Sequence, residues 1–385
     1  MSKIETITPV HIGSGEKILC LKKDGYLYDL NKILRKEKLA NNKEKLDKIL
    51  EYGQKNNINM STANFKEILA LKDTDFTDDE KVSNDYYYAI NSSDNINLFL
   101  IMKSMDKLII PGSTIRGWLN NLFFYYLLDS EPFVKDYVIK NIKTLEKRNN
   151  ILINIERAIA PFKQFLMVND IMIDTNPHVY NLIRYTNGKS KQTKSDTIPG
   201  GNVEMIPMNF TINSKIYDQN ISEFKTLIEV MKEKHLKTIR ENKNKYPEEK
   251  EVLTISIKKF IYFLNNLNQI IKETNKKHMK YVINKEIEYL QKTTNKKVKV
   301  SELMIFYNSV LSKLDNGEII TQIGKYTNYF DKSMLFILED VYQENFKSIF
   351  TPNRKKTSPI ISSMNLISDD CHQYPLGFIK ITLWF

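Results

Sequence analysis

Cysteine is nearly absent: only Cys20 and Cys371 occur, near opposite ends of the chain. Without a CxxC pair or a Cys/His cluster, this excludes a disulfide-stapled scaffold and a structural zinc site. Long apolar runs are missing as well. The most apolar stretch, Trp118–Leu128, is interrupted by Asn120 and Asn121, well short of the roughly 18–20 apolar residues a membrane span needs. The opening MSKIETITPV carries no apolar signal core and no small-residue cleavage site, so the expected location is cytoplasmic, with no membrane partner. Histidine is limited to His11, His178, His235, His278 and His372, and no HxxxH or HExxH pairing occurs. No P-loop and no Gly-x-Ser-x-Gly elbow is present, and no catalytic triad can be assembled. Neither a metal nor a cofactor is expected.

Glycine is scarce, with 12 residues among 385, so its placement is informative. None falls between Gly201 and Gly317. Turns and close backbone approaches call for glycine, so a hundred residues without it mark a region of long helices. The same region is strongly basic. Residues 231–300 hold 18 Lys/Arg and 8 Asp/Glu, a surplus of +10 within a chain whose formal charge is +11. A localised basic surplus suits a polyanion, and nucleic acid is the commonest one, although a solvated lysine-rich helix face gives the same composition.

The patterning predicts a mixed α/β organisation. Lys3–Val10 alternates like a strand, and Ile18–Lys22 and Tyr26–Leu30 flank an Asp24-Gly25 hairpin turn. Helices are expected over Asn31–Tyr52, Ser61–Leu71, Thr114–Asp129 and Phe133–Lys147. Strands are expected over Asp85–Ile90, Leu98–Ser104, Phe165–Ile173, Val179–Tyr185 and Val203–Ile216. Asn187–Gly201 reads as a polar loop and Asp73–Lys81 as an exposed acidic one, where Asp73, Asp75, Asp78 and Asp79 are solvated. From Gln219 to Leu314 the chain reads as helical, with breaks near Pro247, Asn275 and Asn295, and Leu376–Phe385 alternates again. Three units follow: residues 1–216, a basic helical region 217–315, and a C-terminal segment 316–385.

Three glycine loops are the candidate sites. In Ile110-Pro111-Gly112-Ser113-Thr114-Ile115-Arg116-Gly117, a strand turns into a helix. Ser113 and Thr114 are placed to cap that helix, and the amides of Ser113, Thr114 and Ile115 would be left open to an anion beside the Arg116 fork. Gly117 would let the helix pack closely on its strand, or let a ligand backbone approach. The second loop is His11-Ile12-Gly13-Ser14-Gly15, and the third is Gly324-Lys325-Tyr326, basic and aromatic as phosphate contact and base stacking require. Asp170 is expected to bond local backbone. Lys272, Lys276 and Lys280 would form one stripe if their helix is continuous through Asn275.

The motif IPGSTIRGWL, together with TPVHIGSG, FLMVNDIMID, QIGKYTN and PLGFIKITL in that order, resembles the RAMP superfamily. These are the RNA-binding proteins of CRISPR systems, and within them the ordered set looks like the fifth Csm subunit of type III-A effector complexes. Where the family often has a second basic residue, this sequence has Asn120, and Asn328 stands near a usual second glycine. The resemblance implies an α+β fold: a ferredoxin-like RAMP core, a basic helical insertion, and a C-terminal strand that rejoins the sheet. It implies a non-catalytic subunit that holds the 3′ region of a single-stranded guide RNA and supports its maturation in antiviral defence. The implied partners are the backbone RAMP and other Csm subunits, with trimming nucleases beside them. The implied RNA contacts are Gly13, Ser14, Gly15, Gly112, Ser113, Thr114, Arg116, Gly117, Gly324, Lys325 and Tyr326, with Lys272, Lys276 and Lys280 on the helical region. Related RAMP endoribonucleases use a histidine as general base, so His11 is either that base or a residue packed beneath its loop.

Overall fold

A computed structural model describes residues 2–24, 26–35, 47, 71, 73–83, 95–105, 107–142, 145–186, 197–214, 217–218, 221–242, 246–325, 327, 363–368 and 372–382. A sheet of four has the spatial order β12 (Thr211–Ser214), β1 (Ser2–Thr6), β17 (Phe378–Thr382), β14 (Ile319–Gln322). β1 is antiparallel to both neighbours, with Ile4 opposite Ile212 on one side and Ile381 on the other. The alternation expected near the C-terminal end thus appears, over Phe378–Thr382, as a strand that lies beside the first one.

A larger sheet runs β16 (Gln373–Tyr374), β15 (Ser363–Ser368), β10 (His178–Thr186), β11 (Thr197–Met205), β5 (Asn95–Ile101), β2 (Gly13–Lys23), β3 (Tyr26–Asp29), β4 (Lys81–Ser83). The Asp24 turn joins β2 to β3 as an antiparallel hairpin, with Asp24 itself at φ 51°. Two smaller pairings complete the strands: β6 (Lys103–Ser104), β7 (Lys107–Ile110) and β9 (Ile171–Ile173) in one, β13 (Tyr217–Asp218) and β8 (Met167–Val168) in the other.

Eight helices occur among the described residues: α1 (Leu30–Arg35), α2 (Gly112–Ser130), α3 (Pro132–Ile142), α4 (Leu145–Lys163), α5 (Ile221–Glu241), α6 (Pro247–Asn265), α7 (Leu267–Lys292) and α8 (Val300–Asp315). The main hydrophobic cluster draws on residues 4 through 381. α2 supplies its centre, where Phe123 meets Phe260 edge-on at 4.8 Å and Phe263 at 5.6 Å. Tyr125 stacks on His278 of α7 at 4.2 Å. Most of the glycine-free region, from Ile221 to Asp315, is therefore helical, and it shares its core with the N-terminal strands.

The structure corrects four expectations of the sequence. Residues 197–201 are not loop but the start of β11. Gly201 adopts φ 97° there, beside a register shift against β10, so the glycine serves an irregular strand rather than a turn. Val203–Ile216 is interrupted after Met205 by a turn in which Asn209 is at φ 57°. Phe165–Ile173 holds two short strands, β8 and β9, rather than one. Asn275 breaks nothing. α7 is continuous through it, because its buried side chain donates to the Ile320 carbonyl at 2.8 Å and so ties the helix to β14. The strand over Asp85–Ile90 and the helix over Ser61–Leu71 lie outside the described residues, as does most of the helix over Asn31–Tyr52.

One segment holds these sheets together. Four successive carbonyls, those of Pro9, Val10, His11 and Ile12, accept from the amides of Gly377 (2.9 Å), Ile206 (2.8 Å), Lys325 (2.8 Å) and Met102 (2.8 Å). Gly377 sits at φ 78°, where a Cβ would collide with the Ile323 carbonyl. Gly377→Val should therefore lower the melting temperature by more than about 5 °C, because left-handed strain costs about 1–3 kcal/mol before the clash is added. A thermal melt followed by circular dichroism checks this.

Candidate nucleic-acid interface

Two of the three glycine loops meet at His11. Its ring is buried, and Nδ1 lies 2.7 Å from the Glu204 carbonyl. A Cβ on Gly13 would stand 2.9 Å from His11 Nε2 and 3.4 Å from Lys325 Cδ. Gly324, at φ 98°, passes so close that a Cβ would strike the His11 carbonyl. Both glycines are thus demanded by close packing of one loop on the other. Ser14 Oγ donates to the Leu100 carbonyl at 3.2 Å and accepts the Glu16 amide at 3.0 Å, which fixes the turn. Gly15 is exposed at φ 89° with open space around it. Lys325 is exposed at the rim of this junction, and Tyr326 lies outside the described residues.

The electrostatics of the junction are set by burial. Desolvation holds His11 below the ordinary imidazole pKa, and the Lys325 ammonium works in the same direction, against the Glu204 carbonyl bond. Burial pushes the Glu204 carboxyl up, while Lys103 at 3.2 Å and the Ile101 amide at 3.1 Å pull it back. A neutral imidazole and an engaged carboxylate therefore lie under a surface that presents lysines.

The first loop, at Gly112, is packed elsewhere. α2 starts at Gly112, two residues earlier than expected, so Ser113 and Thr114 lie inside its first turn and do not cap it. The cap comes from Asp170, whose Oδ1 accepts the Gly112 amide at 2.7 Å across 58 residues of sequence. Asp170 does bond backbone, but not local backbone. The Thr114 amide is also taken, by the Pro111 carbonyl at 2.8 Å. The expected row of open amides is therefore reduced, and a carboxylate already stands at the helix start. Gly112 is indispensable for contact, since a Cβ would collide with the Val168 carbonyl. Gly117 does not pack on a strand: it is exposed, with nothing within 4 Å of an added Cβ. Arg116 is exposed on the second turn and has no ion-pair partner among the described residues.

On α7 the lysine stripe exists because the helix is unbroken, yet it is partly neutralised. Lys276 and Lys280 both reach Asp315, at 2.9 and 2.6 Å, and these ammoniums hold its carboxyl below the usual range. Lys272 lies against Gly317, whose added Cβ would be 2.8 Å from Lys272 Cε. Sequence reading missed Lys17 and Phe99, which adjoin the His11 junction. Lys17 Nζ is 5.7 Å and Lys325 Nζ 5.8 Å from the centre of the Phe99 ring. Phe99 sits in the apolar run Leu98–Ile101 and reads as core, so only strand pairing reveals its neighbours. Among the described residues no three His, Cys, Asp or Glu side chains converge as metal ligands would. No helix is long and apolar enough to cross a membrane, among the described residues.

The sequence profile of the RAMP superfamily matches residues 3–358, and the chain belongs to that superfamily. Two of the solved structures that share its fold illustrate the likeness. One is a chain in a cryo-EM structure of a Csm–crRNA–target RNA ternary complex of a type III-A CRISPR-Cas system. It is 15% identical with a TM-score of 0.61, over 99% of this chain and 100% of the other. The second is a crystal structure of Csm5 from T. onnurineus, 14% identical with a TM-score of 0.54, over 98% and 99% of the two chains. A search of curated proteins gives no match.

The lowered His11 pKa yields a pH prediction. The unfolded imidazole takes up its proton first as pH falls, so stability is fully present above about pH 6.5 and is lost below it. His11→Gln cannot charge, and its melting temperature should fall less than that of the wild type between pH 7 and pH 5. Equal acid sensitivity of the two proteins in a thermal-shift series would remove His11 from this role.

Proposed function

We propose that this chain is a non-catalytic RNA-binding subunit of a type III-A CRISPR effector complex, of the fifth Csm subunit type. In this reading it has a ferredoxin-like RAMP core with a basic helical insertion. It holds the 3′ region of a guide RNA in the cytoplasm beside the backbone RAMP subunits, and supports trimming by other nucleases. The observation that carries the reading is the conversion of the RAMP loop signatures into exposed cations on rigid supports. Arg116 is displayed on α2 with Gly117 open next to it, and Lys325 is displayed by a loop locked onto His11. Fixed cations of this kind position a phosphate backbone, and an Arg fork does so with defined geometry. The open face at Gly117 suits close approach of a ligand backbone, at a cost of about 1 kcal/mol relative to alanine within a helix. The likeness in fold to a chain of an RNA-bound Csm complex agrees with this reading.

His11 supports the non-catalytic choice. A general base must reach the ribose 2′-OH, and this imidazole is 1% exposed with Nδ1 engaged by the Glu204 carbonyl. Purified protein incubated with repeat RNA should give no discrete products, and His11→Ala should match the wild type.

The deciding experiment is co-purification of the assembled complex with sequencing of the bound RNA. Arg116→Ala should change the lengths of protected guide fragments while shifting the melting temperature little, since an exposed Arg adds little to folding. Lys272→Ala/Lys276→Ala/Lys280→Ala should lower affinity and shallow the salt dependence without moving the fragment ends. Each phosphate contact on a single strand contributes a log–log slope of roughly −0.7. Two of these lysines are already shared with Asp315, so the slope should change by less than three contacts' worth. Fragment ends that move only in the triple mutant would reassign the site to α7.

A further inference from the structure

The three stripe lysines of α7 close on one turn. Asp315 is the last residue of α8, and Gly317 follows at φ 83°. The amides of Gly317 and Glu318 donate to the Leu314 and Lys313 carbonyls, both at 3.1 Å, so the turn is pinned to the helix that it ends. Lys276 and Lys280 reach the same carboxylate oxygen, Asp315 Oδ1, at 2.9 and 2.6 Å. Lys276 also donates to the Asp315 main-chain carbonyl at 3.4 Å. One turn earlier on α7, exposed Lys272 lies across Gly317 and has no ion-pair partner among the described residues. It borders a cavity of about 450 Å³ lined also by Gly317, Glu318 and Lys380. The helix itself does not favour an acid here, because negative charge at a C-terminus opposes the macrodipole.

We infer that Asp315 is an internal counter-ion, which holds Lys276 and Lys280 until a phosphate of single-stranded RNA arrives beside Lys272 and takes them over. This rests on the RNA-binding reading above and adds how the α7 stripe of that reading is regulated. The physical grounds are three. First, two ammoniums on one carboxylate leave that trio positive, and Lys272 adds a further charge, so a phosphate is attracted before any pair is broken. Glu318 does not cancel this, since it is held by Lys380 at 3.0 Å. Second, the Asp315 pairs are partly exposed, where an ion pair contributes little and salt screens it, so exchanging one anion for another costs little. Third, the shared oxygen already gathers both ammoniums around one acceptor, and the Asn275 bond to β14 fixes α7 beside the turn. The incoming phosphate thus meets cations whose positions are set in advance.

The test measures binding of guide-length single-stranded RNA to the full chain over a salt series. Asp315→Asn keeps the side-chain shape and removes the competing charge. It should bind between about twofold and tenfold more tightly, the range set by two weak ion pairs. Its log–log salt slope should steepen by roughly 0.7, one phosphate contact's worth. Asp315→Ser, a second variant without the charge, should show the same gain. Lys276→Ala/Lys280→Ala should cost more affinity in the Asp315→Asn background than in the wild type, whereas Lys272→Ala should cost the same in both. Asp129→Asn is the control: it frees Lys277, paired at 2.7 Å on another side of α7, and should change affinity less than Asp315→Asn does. Unchanged affinity and slope in both Asp315 variants, with steep salt dependence in the wild type, overturn the exchange and leave the RNA-binding reading standing. An equal gain in Asp129→Asn overturns it too, because net charge alone would then be the cause. Wild-type binding with no salt dependence sinks the RNA-binding reading and the exchange together.

Discussion

The segment Pro9–Ile12 is the constraint on which the rest of the molecule depends. Its four carbonyls are each bonded to a different remote stretch, at residues 377, 206, 325 and 102. No side-chain chemistry enters those bonds, so almost any sequence could accept them. What the sequence must supply is room. Gly324 and Gly377 provide it where their partners cross, and Gly13 provides it where the His11 ring lies. A backbone carbonyl left unpaired in such a buried place would cost about as much as any single core contact. Loop positions near this knot are therefore fixed by main-chain pairing, and Lys325 and the nearby Lys17 can be exposed without being loosely held.

Some of this was legible from residue pattern because the signal is local. The Asp24 hairpin, the helix after Pro111 and the strand near the C-terminal end each follow from turn chemistry or periodicity within about ten residues. The glycine gap between 201 and 317 correctly marked long helices. Other features were illegible because their cause lies far along the chain. Nothing in NDIMID says that Asp170 caps a helix 58 residues earlier. Asn275 looks like a helix breaker, yet its amide is absorbed by the Ile320 carbonyl of a strand 45 residues away. Gly200 and Gly201 read as the end of a polar loop, whereas the second lies in a strand and yields its side-chain space to Phe99. The candidate site divided in the same way. Its loop glycines and Arg116 were visible as motifs, but Phe99 and Lys17 became visible only when β2 and β5 were paired.

Charge on α7 behaves differently from charge on the loops. Asp315, at the end of α8, draws in Lys276 and Lys280 and so spends part of the basic surplus on surface ion pairs within the chain. Net charge counted along the sequence therefore overstates the field that the helical region presents to a polyanion. Arg116, by contrast, keeps its full charge at the surface among the described residues. One unpaired guanidinium on a rigid helix contributes more to register than several lysines that share an acid, because its geometry is set before the ligand arrives.

The position of β1 has a kinetic consequence. It is an inner strand, yet its two neighbours are made from residues 211–214 and 378–382. At a ribosomal pace of about 5–20 residues per second, β1 waits on the order of half a minute before β17 exists to cover its second edge. Through that interval it presents unpaired amides and the apolar Ile4 to whatever passes, the condition under which strands add to the wrong partner. The large sequence separation of this pairing also places it late, since loop-closure entropy must be met before the contact repays it.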